Sequence, residues 1–283
     1  MNIRKTIDAA ENKRLGEVFG FCRKCFSTVY LPSHDETHHL RVWHFARGLI
    51  PGYHKIIQPL SRDQVEGILL AVMLHDTGMS ETIDFTHGHA SRRLAEMFFS
   101  RTSYPPALTH TILKAIEKHD DKNYSSPPSL ASDEGIILSL LSLADDMDAF
   151  GFIGVFRYYE IYILRNITAS QLPERILPNL DHRFRTMETR LAPWPDILRK
   201  QKKRYLITHN FFVNLQEKDP GAKEVIEVFE QHIRIPRENP ERIIPEILKH
   251  KKTTYVSNFF TGMQKELSSL EKDTGHIDKV ILR

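Results

Sequence analysis

The chain has 283 residues, of which 41% are hydrophobic and 27% are charged, and its formal net charge is +3. This length and composition suit one large domain, or one domain with a substantial appendage, and they exclude a globally disordered chain. A charge so near neutral gives no argument for nucleic-acid binding, and we interpret the basic run at 199–204 as a solvated helix face.

The sequence predicts neither a signal peptide nor a membrane span. The segment 1–14 lacks the apolar core of a signal peptide, and no run of about 18 apolar residues follows it. The two cysteines, Cys22 and Cys25, form no disulfide framework and are interpreted as reduced thiols. We therefore expect a cytoplasmic protein with no membrane contact.

Helical periodicity dominates the chain from its start, and strand alternation is almost absent. Residues 1–31 predict a helix that is broken at Pro32. Asp35 is placed to cap a second helix, whose apolar face begins at His38. Pro51–Gly52 should end this second helix.

The stretch Leu69–Gly78 predicts a buried apolar helix that ends in an adjacent histidine and aspartate, His75 and Asp76. His75 shares a helical face with apolar residues such as Ile68. Gly78 is placed to end the helix in a left-handed cap. Because buried ionisable groups are costly unless they are paired or bound to metal, this pair needs partners from elsewhere in the chain.

Later helices also carry polar residues on their apolar faces. The pattern puts His87, His119 and Asp145 on faces that are otherwise apolar, whereas His89 is expected to face water. Residues 120–132 are interpreted as a loop. Further helices are predicted around 196–215, 221–233, 240–250 and 253–270.

Histidines and aspartates at core positions therefore come from five separate helices or helix ends. A single buried histidine is usually just hydrogen-bonded, but the whole set is hard to explain by independent accidents. Imidazole and carboxylate groups bind divalent metals, and a cation would compensate the burial of Asp76 and Asp145. A helical bundle can direct such side chains to one centre.

The order of these residues and their flanks carry a resemblance to a known family. His38 begins the sequence HHLRV, the pair His75–Asp76 follows, and Asp145 lies in LADDMDAFG. This pattern resembles the HD-domain superfamily of metal-dependent phosphohydrolases over roughly residues 30–165. The resemblance implies an all-α fold, with an HD-domain helical bundle and an N-terminal helix at 1–165. Additional C-terminal helices at 166–283 would pack on the same bundle.

The resemblance also implies a metal centre and a set of catalytic residues. His38, His75, Asp76 and Asp145 would hold one divalent ion, with Mn, Fe, Mg, Ni and Zn as candidates. His87 and His119 match positions that hold a second ion or contact substrate in different branches, so one or two ions per chain are expected. With one ion only, His87, His119 or Asp120 would serve as general base or as phosphate contacts.

Two arginines are candidates for binding the substrate phosphate. Arg41 lies one turn beyond His38, and Arg157 lies in DAFGFIGVFR, which is similar to a run in small bacterial HD phosphohydrolases. Arg41 could instead pair with a protein carboxylate, and Arg157 could instead be a solvated arginine on a helix. The residues after His119 and after His75–Asp76 lack the motifs of the cyclic-di-GMP, alarmone and nucleotidase branches.

Three functions remain open from the sequence. The first is hydrolysis of a phosphate ester or anhydride of a small molecule, with nucleotides among the candidates, by a metal-activated water. The second is di-iron oxygenase chemistry, since some HD-fold proteins use a similar set of six ligands for it. The third is a non-catalytic module that senses a ligand.

Overall fold

The computed structural model describes residues 2–102, 104–120, 132–233, 240–249 and 253–281. In these ranges the regular secondary structure is helical throughout, which confirms the predicted all-α fold. The predicted loop at 120–132 lies outside the described residues apart from its two ends. Among the described helices, none combines the length and the apolar character that a membrane span needs.

The helices occur in a simple order along the chain. They are α1 (Ile3–Cys25), α2 (Glu36–Ile56), α3 (Arg62–Leu74), α4 (His87–Phe99), α5 (Pro106–Lys118), α6 (Asp133–Asp148), α7 (Gly151–Leu164), α8 (Leu172–Leu191), α9 (Pro195–Gln216), α10 (Pro220–Ile233), α11 (Pro240–Lys249) and α12 (Thr254–Ile281). Short 3-10 turns lie at Thr77–Ser80 and Ala169–Gln171.

The chain divides into two compact units. The first comprises Met1–Val29, His34–Asp145 and Asp273–Arg283, and the second comprises Tyr30–Ser33 and Asp146–Lys272. The division therefore falls inside α6, after Asp145. The domain boundary drawn from the sequence at residue 165 remains a prediction.

Helix α3 lies at the centre of the first unit. It packs against α1, α2, α4 and α5, and every residue from Gly67 to Leu74 is buried. A helix that is apolar on all sides is stable only in such surroundings, so the predicted buried helix is confirmed. A capping box begins α3, since Gln64 N donates to Ser61 Oγ and Ser61 N donates to the Gln64 side chain.

Helix α2 begins as predicted but ends later. The Asp35 side chain accepts a hydrogen bond from Thr37 N at 2.9 Å, which confirms the predicted cap. The expected end at Pro51–Gly52 is wrong, because α2 continues to Ile56 with Pro51 inside it. Ile50 and Tyr53, on either side of Pro51, are both buried, so packing outweighs the hydrogen bond that the proline removes.

The predicted left-handed cap at Gly78 is also wrong. Gly78 lies in the 3-10 turn Thr77–Ser80, and among described glycines a positive φ occurs at Gly151. A Cβ at Gly78 would overlap backbone atoms of His87 and Ser91, and Gly78 N donates to Ser91 Oγ at 2.8 Å. This position therefore needs glycine because the start of α4 lies so close to it.

The second unit contains helices that the C-terminal periodicity predicts, and one that it did not single out. Helices α9 to α12 correspond to the four predicted segments, with bounds that differ by at most one residue except at the end of α12, which continues to Ile281 instead of ending at residue 270. Helix α8 had no separate prediction, although its buried side chains recur every three or four residues. These side chains are Leu172, Ile176, Leu180, Phe184, Met187 and Leu191.

Candidate metal centre

Four residues from three helices meet in the first unit and form what we term the first ligand group. His38 lies in α2, His75 and Asp76 directly follow α3, and Asp145 lies in the last turn of α6. One ligand atom from each lies within 4.8 Å of those of the other three, and all four residues are buried. The Nε2 atoms of His38 and His75 are 3.3 Å apart.

The carboxylates lie beside these two nitrogen atoms. Asp76 Oδ2 is 3.4 Å from His38 Nε2 and 3.5 Å from His75 Nε2. Asp145 Oδ1 is 3.7 Å from the first nitrogen and 3.9 Å from the second. Two imidazoles and two carboxylates thus converge on one small space, as the sequence pattern suggested.

A second ligand group uses the other oxygen of the same aspartate. Asp76 Oδ1 lies 2.8 Å from His119 Nε2 and 3.4 Å from His87 Nε2, and the three residues are buried. His119 follows α5 and His87 begins α4. Asp76 therefore faces one ligand group with each of its two carboxylate oxygens.

Backbone carbonyl groups orient the histidine rings. In His75, His87 and His119, Nδ1 lies within hydrogen-bond distance of the carbonyl oxygen three residues earlier. The distances are 2.7 Å to Val72, 2.8 Å to Asp84 and 2.6 Å to Ile116. Because a carbonyl oxygen only accepts, Nδ1 carries the proton, and in the neutral ring Nε2 presents its lone pair to the centre.

The charges in the first ligand group suit metal binding. Burial lowers the pKa of His75 to about 4, so this imidazole is neutral at pH 7. Burial alone would raise the pKa of Asp76, but His75 and hydrogen bonds from His119, His38 and His87 hold it well below its usual range. A neutral imidazole and an ionised carboxylate are the forms that bind a cation.

His87 behaves differently from His75. Burial lowers its pKa, but the hydrogen bond and charge of Asp76, together with the charge of Asp120, raise it to about 9. Asp120 Oδ2 lies 3.8 Å from His87 Nε2, and the Asp120 side chain is 31% exposed. In the metal-free protein a proton on His87 therefore compensates part of the negative charge of Asp76.

The donor set fits a divalent cation. Two buried carboxylates, Asp76 and Asp145, face four imidazoles, and three of these rings are held by backbone carbonyls with Nε2 directed inwards. Comparisons of the chain with protein-family models, with curated proteins and with solved structures found no match.

The two candidate phosphate-binding arginines are both engaged with protein groups. Arg41 is buried, and its Nη1 donates to Thr37 Oγ1 at 3.0 Å. Arg157 is buried in the second unit, with Nη1 3.1 Å from Asp148 Oδ2. Their roles in binding substrate stay predictions.

Two histidines beside the centre were not singled out from the sequence. The His39 ring lies 5.2 Å from that of His75, and the His34 ring lies 5.5 Å from that of His38. Both residues are buried, and burial lowers the pKa of His39 well below its usual value. Their proximity to His38 in the sequence SHDETHHL was the available signal.

Proposed function

We propose that this protein is a metal-dependent phosphohydrolase of the HD type, which hydrolyses a phosphate ester or anhydride of a small molecule. Nucleotides are among the candidate substrates. The observation that carries the proposal is the position of Asp76, whose two carboxylate oxygens face two adjacent ligand groups. A shared carboxylate between two such groups suits a pair of divalent ions that act on one phosphate.

Each of the two ligand groups would bind one of these ions. His38, His75, Asp76 and Asp145 would hold one ion, and Asp76, His87 and His119 would hold the other. When bound, the ions supply an activated water and stabilise the negative charge on the phosphate oxygens.

Asp120 is our candidate for moving a proton during the reaction. Its carboxylate lies beside His87, and it is partly open to solvent, unlike the buried Asp76 and Asp145. A partly exposed carboxylate at this edge can accept a proton from the attacking water or return one to the leaving oxygen. We expect Asp120→Asn to lower kcat about 100-fold or more while the bound metal stays in place, because a positioned acid or base contributes 10²–10⁴-fold.

The test is a phosphate-release assay on metal-loaded protein. The substrates are a panel of phosphate monoesters, nucleotides and nucleotide anhydrides, and Asp76→Ala is the inactive control. Release of phosphate that needs both Asp76 and a divalent ion supports the proposal. Bound iron with substrate-dependent O₂ uptake and no phosphate release would instead favour the oxygenase. Tight binding of a compound without turnover would favour the sensor.

A further inference from the structure

The turn between α6 and α7 is held by an arginine from α9. Arg204 Nη1 donates to Met147 O at 2.5 Å, and Arg204 Nη2 donates to Phe150 O at 2.7 Å. Met147 is in the last turn of α6, where carbonyl groups lack partners in the helix itself. A cation at this position also matches the negative end of the helix dipole.

A glutamate from α12 completes the arrangement. Glu266 Oε2 accepts a hydrogen bond from Phe152 N at 2.7 Å, at the start of α7. Glu266 Oε1 accepts from Arg204 Nη2 at 2.6 Å and from Nε at 3.0 Å. The Arg204–Glu266 pair thus binds the end of α6 and the beginning of α7. The arginine lies at the negative end of the α6 dipole, and the glutamate lies at the positive end of the α7 dipole.

The backbone of the turn between α6 and α7 leaves room for this pair at Gly151. Gly151 has φ +88°, and a Cβ there would overlap the Glu266 carboxylate. Thr208, which is fully buried, donates from Oγ1 to Gly151 O at 2.9 Å. The side chains of the Arg204–Glu266 pair are only 15% and 11% exposed, so removing either partner would leave a charge with little access to water.

Asp145 lies two residues before Met147 on the same helix. A metal ligand must be held within about 0.5 Å of its working position, so fixing the last turn of α6 bears directly on the Asp145 carboxylate. We propose that the Arg204–Glu266 pair positions Asp145 for metal binding through the backbone of α6. This inference rests on the proposed metal centre. It assigns residues 166–283 a role in positioning one of the candidate metal ligands.

The experiment measures Co²⁺ binding by full-length Glu266→Gln and Arg204→Lys variants. The cobalt signal that depends on Asp145 is first identified as the visible absorption that Asp145→Asn removes. We expect each variant to bind cobalt at that position 10–100-fold more weakly with an altered spectrum, because mutations of residues that orient a metal ligand have effects of this size. Binding by the second ligand group should keep its affinity.

Arg199→Gln is the matched control, because Arg199 lies on the same helix and its side chain is 69% exposed beside Asp196. It should bind cobalt as the unmodified protein does. Unchanged affinity and spectrum in both variants would overturn the inference while the metal centre stands. An equal loss of cobalt affinity at both ligand groups would also overturn the inference, because general unfolding would weaken binding at both. Absence of cobalt binding by the unmodified protein would overturn the proposed function as well.

Discussion

Asp76 is the residue on which the geometry of the centre depends. One of its oxygens faces His38 and His75, and the other faces His87 and His119. A buried carboxylate in contact with four imidazoles is stabilised either by protons on those rings or by bound cations. The protonation state of these histidines should therefore depend on whether metal is bound.

His87 gives a pH-dependent prediction for the metal-free protein. Its pKa is raised from 6.5 to about 9 on folding, so its contribution to the free energy of unfolding is fully present below pH 6.5 and is lost as pH rises through 9. A shift of this size corresponds to a loss on the order of 3 kcal/mol. Urea denaturation of metal-free protein between pH 6.5 and 9.5 measures it.

His87→Gln is the control for this titration, because other groups also titrate in the alkaline range. The difference in unfolding free energy between the unmodified protein and His87→Gln should shrink as pH rises. A difference that is constant from pH 6.5 to 9.5 would show that His87 is not protonated beside Asp76.

Gly151 gives a second prediction at the scale of a single residue. Gly151→Ala should lower the free energy of unfolding by about 1–3 kcal/mol or more, because φ is +88° and the new methyl group would displace the Glu266 carboxylate. Gly20→Ala is the matched control, because Gly20 lies in α1 with open space around it. This substitution should raise the free energy of unfolding by about 0.5–1 kcal/mol. Chemical denaturation of both variants tests the contrast, and equal effects would contradict it.

Two of the candidate metal ligands directly follow α3, and side chains satisfy the last carbonyl groups of this helix. His75 Nδ1 contacts Val72 O, Cys22 Sγ donates to Met73 O at 2.6 Å, and Thr77 Oγ1 donates to Leu74 O at 2.8 Å. The point at which α3 ends is thereby fixed, and with it the position of His75 and Asp76.

The start of α3 gives a prediction at the scale of the helix. Ser61→Ala removes the capping box and should lower the free energy of unfolding by about 1 kcal/mol. Ser61→Asp keeps a side-chain acceptor and should retain most of that stability. Thermal or urea denaturation measures the difference, and equal stability of the two variants would show that the box contributes nothing.

Local patterns predicted those parts of the fold that depend on local chemistry. The Asp35 cap and the polar residues on apolar helix faces could be found because each is encoded within one or two helical turns. The role of Gly78 could not be predicted in this way, because it depends on the close approach of Ser91 from another helix. Likewise, no local pattern marks Arg204 and Glu266, which are 62 residues apart in the sequence.

The metal ligands of the candidate centre all belong to the first compact unit. Metal binding to the folded state should therefore stabilise this unit most directly. We expect added Mn²⁺ to slow amide hydrogen exchange in α2, α3, α4 and α5 more than in α8 and α10. Hydrogen exchange followed by mass spectrometry measures this, and equal protection of both sets of helices would contradict a centre confined to the first unit.

The proposed metal centre requires that six side chains from five helices or helix ends converge on bound cations. Elemental analysis of freshly purified and of metal-loaded protein tests it most directly, with Asp76→Ala analysed in parallel. We expect at least one divalent ion per chain in the unmodified protein and none in Asp76→Ala, because Asp76 belongs to both ligand groups. Unmodified protein that binds no ion after loading, or Asp76→Ala that keeps its full metal content, would show that these residues do not form a metal centre.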